Sequence, residues 1–62
     1  MKQELLILKC EDKSKWYADL IGWRVPLLSY EDGYYEYKSR DKGGYLNYVD
    51  KDDAIIVDIK YE

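Results

Sequence analysis

The stretch Trp23-Arg24-Val25-Pro26-Leu27-Leu28-Ser29-Tyr30-Glu31-Asp32-Gly33-Tyr34-Tyr35-Glu36-Tyr37-Lys38-Ser39 decides the fold. Two runs of strand-forming residues flank an Asp-Gly pair. Such a pair is a strong short-range hairpin signal, because both central residues of a type I′ turn take positive φ. The sequence therefore predicts strands over 23–31 and 34–39, joined by a two-residue turn at Asp32-Gly33. Pro26 has no amide to give to a ladder, so its strand lies at an edge or bends there.

The same two-residue periodicity continues on both sides. Residues 4–10 (ELLILKC) predict a first strand, and residues 11–20 a long polar loop carrying Trp16-Tyr17, with Gly22 as a turn residue. Trp16, Tyr17, Leu20 and Ile21 have helical spacing, so one turn of helix in this loop is the alternative there. Downstream, residues 40–44 read as a turn and 45–49 as a strand. Residues 50–53 (DKDD) read as a short 3₁₀ turn, and 54–60 (AIIVDIK) as the last strand. In that strand Ile55, Val57 and Ile59 share one face. They are expected inside with Leu5, Ile7, Val25 and Leu27, leaving Asp58 and Lys60 in water. The expectation is one all-β domain over 1–62, with five short strands.

With 62 residues, 13 acids against 10 bases and a net charge of −3, the chain has no excess of positive charge for nucleic acid. It has no histidine and one cysteine, which removes a histidine triad, a zinc finger and an internal disulfide. Cys10, without a disulfide partner, fits a reducing cytoplasm and the role of a small apolar side chain. No apolar run reaches membrane-helix length and the start does not read as a signal peptide, so a cytoplasmic protein without a membrane partner is expected. Eight tyrosines and two tryptophans without phenylalanine are the unusual feature. These side chains combine a large apolar face with a polar tip.

In this order the elements resemble the Src-homology-3-like barrel. The carriers are Tyr34-Tyr35 opening the third strand, the Gly43-Gly44-Tyr45 turn, Tyr48-Val49 before the 3₁₀ turn, and Ala54-Ile55-Ile56-Val57 in place of the closing strand. The resemblance implies a five-stranded, partly open barrel with a long first loop and a 3₁₀ turn before the last strand. The chain is also similar in style to small proteins of bacteria and their phages that carry a Trp-Tyr loop followed by a glycine. Peptide-binding members of the family use first-loop aromatics, a tryptophan at the third strand, and a proline and a tyrosine around the 3₁₀ turn. Trp16 and Tyr17 match the loop aromatics and Tyr34 stands at the tryptophan's place, but Asp50 and Asp53 occupy the other two. Two aspartates give no stacked walls for a polyproline helix, so the resemblance speaks for the fold and not for proline-rich ligands.

Other constellations read as structure. Asp50, Asp52 and Asp53 lack the spacing of a calcium loop, and read as a solvated polar turn. Gly43-Gly44 beside Lys42 lacks the strand–loop–helix context of a phosphate loop, and reads as a hairpin turn. Ser14, Ser29 and Ser39 have no histidine to activate them. No catalytic residues, no metal and no cofactor are expected. The expected function is a non-enzymatic protein-binding module, a phage or mobile-element accessory docking on a bacterial protein. Its contact residues are Trp16, Tyr17, Tyr34 and Tyr48, because exposed aromatics contribute area at low entropy cost. The alternative is a small barrel binding single-stranded nucleic acid through Lys38, Arg40 and Lys42, with neighbouring tyrosines for stacking.

Overall fold

In the computed structural model, residues 2–60 are described. In chain order they form β1 (Lys2–Ile7), β2 (Arg24–Pro26), β3 (Glu36–Arg40), β4 (Leu46–Asp50), a 3₁₀ turn (Lys51–Asp53) and β5 (Ala54–Ile59). The strands make two antiparallel sheets, β2-β1-β5 and β3-β4, which do not close on each other. One isolated bridge, Ser29 to Lys38, links the chain after β2 to β3. There the Leu28 amide donates to the Lys38 carbonyl at 2.9 Å, and the Lys38 amide to the Ser29 carbonyl at 3.0 Å.

The all-β expectation and the 3₁₀ turn hold, but the Asp32-Gly33 hairpin needs correction. Of the pair only Gly33 has positive φ, at 90°, and no non-glycine residue among those described does. A type I′ turn would force Asp32 into the left-handed region, at a cost an L-residue resists. The pair instead makes a local turn, with the Tyr34 amide 3.4 Å from the Glu31 carbonyl. It sits inside a longer loop spanning 30–35, and Ser29 rather than Glu31 reaches the third strand. The first loop holds no helix. It is a series of tight turns that ends at Gly22, whose φ is 86°.

The core is Leu5, Ile7, Tyr17, Val25, Val49 and Ala54, with Leu27, Tyr37 and Ile56 packed against it. The fully buried leucine, isoleucine and valine side chains contribute roughly 1.5–3 kcal/mol each. Here a second expectation fails. Leu5 lies opposite Ile56 and Ile7 opposite Ala54, so the inward face of β5 carries Ala54 and Ile56. Ile55 pairs with Leu6 on the outer face and is 46% exposed. Val57 and Ile59 share that outer face and are half-buried. Asp58 is in water as expected although its side chain lies on the core side. At this end of the sheet its neighbour is the exposed Gln3, whose amide donates to Asp58 Oδ1 at 3.1 Å.

The β3-β4 hairpin turns through 42–44. The Gly44 amide donates to the Asp41 carbonyl, and the Asp41 amide to the Tyr45 carbonyl, both at 2.9 Å. The Asp41 carboxylate accepts from the amides of Gly43 and Tyr45 and from Asn47 Nδ2. These bonds, with Asn47 foremost, hold it below its usual pKa. Gly44 has φ 84° and nothing within 4 Å of where a Cβ would stand. Gly44→Ala is therefore expected to cost about 1–2 kcal/mol from backbone conformation alone, read as a lower urea midpoint with unchanged slope.

Candidate functional site

The loop 30–35 and the outer face of β3-β4 together build the candidate site. Lys38 and Tyr48 are directly opposite in the ladder, and Ser29 bridges to Lys38 from the other side. Tyr30, Glu31 and Tyr34 from the loop, with Glu36, complete the walls of a groove of about 360 Å³. Tyr34 is 63% exposed and Tyr48 43%. Tyr30 is held in place: its ring packs edge-on against Tyr37 with centroids 6.0 Å apart, and Lys51 Nζ lies 5.9 Å from its centroid. The same ammonium donates to the Glu31 carbonyl at 2.7 Å. A larger, shallower hollow lies beside it, between the start of β1 and residues 27–30.

Of the expected contact residues, Tyr34 and Tyr48 meet in the groove. Trp16 lies next to it, half-buried, with Nε1 donating to the Tyr48 carbonyl at 2.8 Å. Tyr17 does not join them, and its assignment is corrected. It is 1% exposed, at the centre of the core, with its hydroxyl donating to Asp53 Oδ2 at 2.5 Å. It also accepts from the Asp50 amide at 3.3 Å. The first loop therefore spends one aromatic on the interior. Burial, aided by the bond to Asp53, pushes the Tyr17 phenol well above its usual pKa, so it stays neutral.

The basic trio is largely engaged. Lys42 Nζ is 2.6 Å from Asp19 Oδ2, and Arg40 Nη1 donates to the Gly44 carbonyl at 2.9 Å. Lys38 faces the groove, which it shares with two glutamates. The aspartates of the polar turn have structural partners too: Asp50 pairs with Lys15 at 3.0 Å, and Asp53 holds Tyr17. Cys10 packs against the core with its thiol pushed up in pKa, by burial first and then by Asp53, which is the state of an inert side chain.

No family model matches the chain, and neither a curated protein nor a solved structure is significantly similar to it. No helix of the described residues is long and apolar enough to cross a membrane.

Sequence reasoning missed Tyr30, Glu31 and Glu36 as wall residues. It placed Tyr30 and Glu31 in a strand, and only the longer loop swings them to the groove. What the groove offers is stacking faces, phenolic hydroxyls, two carboxylates and one ammonium.

Proposed function

We propose that this chain is a non-enzymatic protein-binding module and that the tyrosine-lined groove is its contact surface. The observation that carries the reading is the exposure of Tyr34 and Tyr48 around a pre-formed groove whose third wall, Tyr30, is fixed from behind. Rigid, exposed tyrosines are typical anchors of protein contacts. Nucleic acid is disfavoured at this surface, because Glu31 and Glu36 would face the phosphates and Lys42 is already paired. The spatial order β5-β1-β2, continued through Ser29 to β3-β4, supports a partly open Src-homology-3-like barrel as the finer reading of the fold. On the resemblance to bacterial and phage proteins, the partner is a cytoplasmic bacterial protein.

The test is capture from bacterial lysate, with oligonucleotide binding measured in parallel at two salt concentrations. A protein retained by the parent and lost with Tyr34→Ala and Tyr48→Ala, both still folded, is the expected result. Salt-sensitive oligonucleotide binding abolished by neutralising Lys38, Arg40 and Lys42 would overturn it.

A further inference from the structure

The sheet edges of this chain are treated unequally. In β4, the bonds from Asp41 to Tyr45 and from Lys51 to Tyr35 place the odd-numbered residues in the ladder with β3, which turns Leu46, Tyr48 and Asp50 outward. Side chains cover most of that edge. The Tyr48 amide is met by Asn47 Oδ1 at 2.9 Å, its carbonyl by Trp16, and the Asp50 amide by the Tyr17 hydroxyl. On β2, Pro26 has no amide and its carbonyl is taken by the buried Ser39 hydroxyl at 2.7 Å. Capping of this kind is how proteins blunt an edge.

β5 has none of it. The Leu8 amide donates to the Asp53 carbonyl, so the odd-numbered residues of β5 face β1, and Ala54, Ile56 and Asp58 turn their amides and carbonyls away from the sheet. No hydrogen bond among the described residues reaches those groups. The strand has no proline, glycine or bulge, and its register with β1 is unbroken from Ala54 to Ile59. Beside the bare edge lies exposed apolar surface, Ile55, at 46%.

We propose that β5 is a docking edge for a second copy of this chain. Two β5 strands pair antiparallel about a two-fold axis at Ile56, joining two three-stranded sheets into one. The strand is self-complementary in this register. Ile56 meets Ile56 of the second copy, and Ala54 meets Asp58, so every outward amide and carbonyl finds a partner. On the outer face Ile55 lies opposite Val57, an apolar cross-strand pair that covers the exposed isoleucine. Just beyond the paired strands, Lys60 of one copy comes to the end of the second copy's β5 where the acidic 3₁₀ turn with Asp52 begins, opposite in charge on both sides of the axis. This surface is separate from the tyrosine groove and does not depend on what the groove binds.

The experiment is sedimentation equilibrium of the full chain from micromolar to millimolar concentration. The parent is expected to form dimers. Asp58→Pro removes one outward amide without touching the ladder to β1, since proline is tolerated where the amide points off an edge. It removes one hydrogen bond at each of the two symmetric positions and is expected to weaken the dimer at least about tenfold, while the circular dichroism spectrum is retained. Lys60→Asp is expected to weaken it as well, and adding Asp52→Lys to restore it. A parent that stays monomeric into the millimolar range overturns the proposal. So does a dimer constant unchanged by Asp58→Pro in a folded variant, or by Lys60→Asp should the proline variant not fold.

Discussion

Replacing Tyr17 by alanine is expected to unfold most of the chain at room temperature. The ring is 1% exposed and sits among Leu5, Ile7, Val25 and Val49. Truncating a buried aromatic costs about 3–5 kcal/mol, and a single core of this size rarely supplies more than about 3–5 kcal/mol in total. Far-ultraviolet circular dichroism against temperature reads the result; a melting midpoint close to the parent's would show that Tyr17 is not a core residue. Tyr17→Phe separates the ring from its hydroxyl. It leaves a buried Asp53 oxygen and the Asp50 amide without their partner, for roughly 1–3 kcal/mol.

The hydroxyl also gives a pH signature. The Tyr17 pKa is raised in the folded chain, by burial first, from an ordinary value of 10.0. Its contribution to stability is then complete below pH 10. Above it the unfolded chain loses this proton more readily than the folded one, so stability falls as pH rises. Urea midpoints between neutral pH and pH 11 are expected to fall more steeply for the parent than for Tyr17→Phe, the other tyrosines being common to both.

The second large effect is at Leu5. It is fully buried and faces Val25 on one side and Ile56 on the other, so Leu5→Ala is expected to cost about 2–5 kcal/mol. Ile55→Ala is expected to cost less than about 1 kcal/mol, because Ile55 lies on the outer face. Urea unfolding of the two variants at equal slope makes the comparison. The reverse order would mean that β5 pairs one residue out of register, since a slip of one exchanges the two faces.

Strand existence was legible, and so was the turn chemistry outside Asp32-Gly33, because both depend on neighbours in the chain. Gly44 in the second hairpin, the alternation of 45–49 and the polar 3₁₀ turn after it could all be placed by reading along the chain. The face of β5 could not. Both Ile55 and Ile56 are apolar, and the Asp58 that pointed to one solution sits at a sheet end where the core side is itself wet. The candidate site was half legible. Tyr34 and Tyr48 were recognisable as aromatics in excess of what a thin core can hold. Tyr30 joins them only because β2 stops at Pro26, and the loop after Ser29 is longer than a two-residue hairpin allows.

Composition and local pattern by themselves determined an all-β chain with a long aromatic-bearing first loop, rich in tyrosine and without histidine chemistry. Tertiary structure alone decided the fate of that loop. Trp16 and Tyr17 are adjacent and chemically alike, yet one donates to the Tyr48 carbonyl beside the groove and the other fills the interior and holds Asp53. The choice depends on residues more than 30 positions away, Tyr48 for one and Asp53 for the other. Which of two neighbouring rings is buried follows from the cavity the strands leave between them, and from the buried carboxylate there that needs a donor. No local pattern contains either.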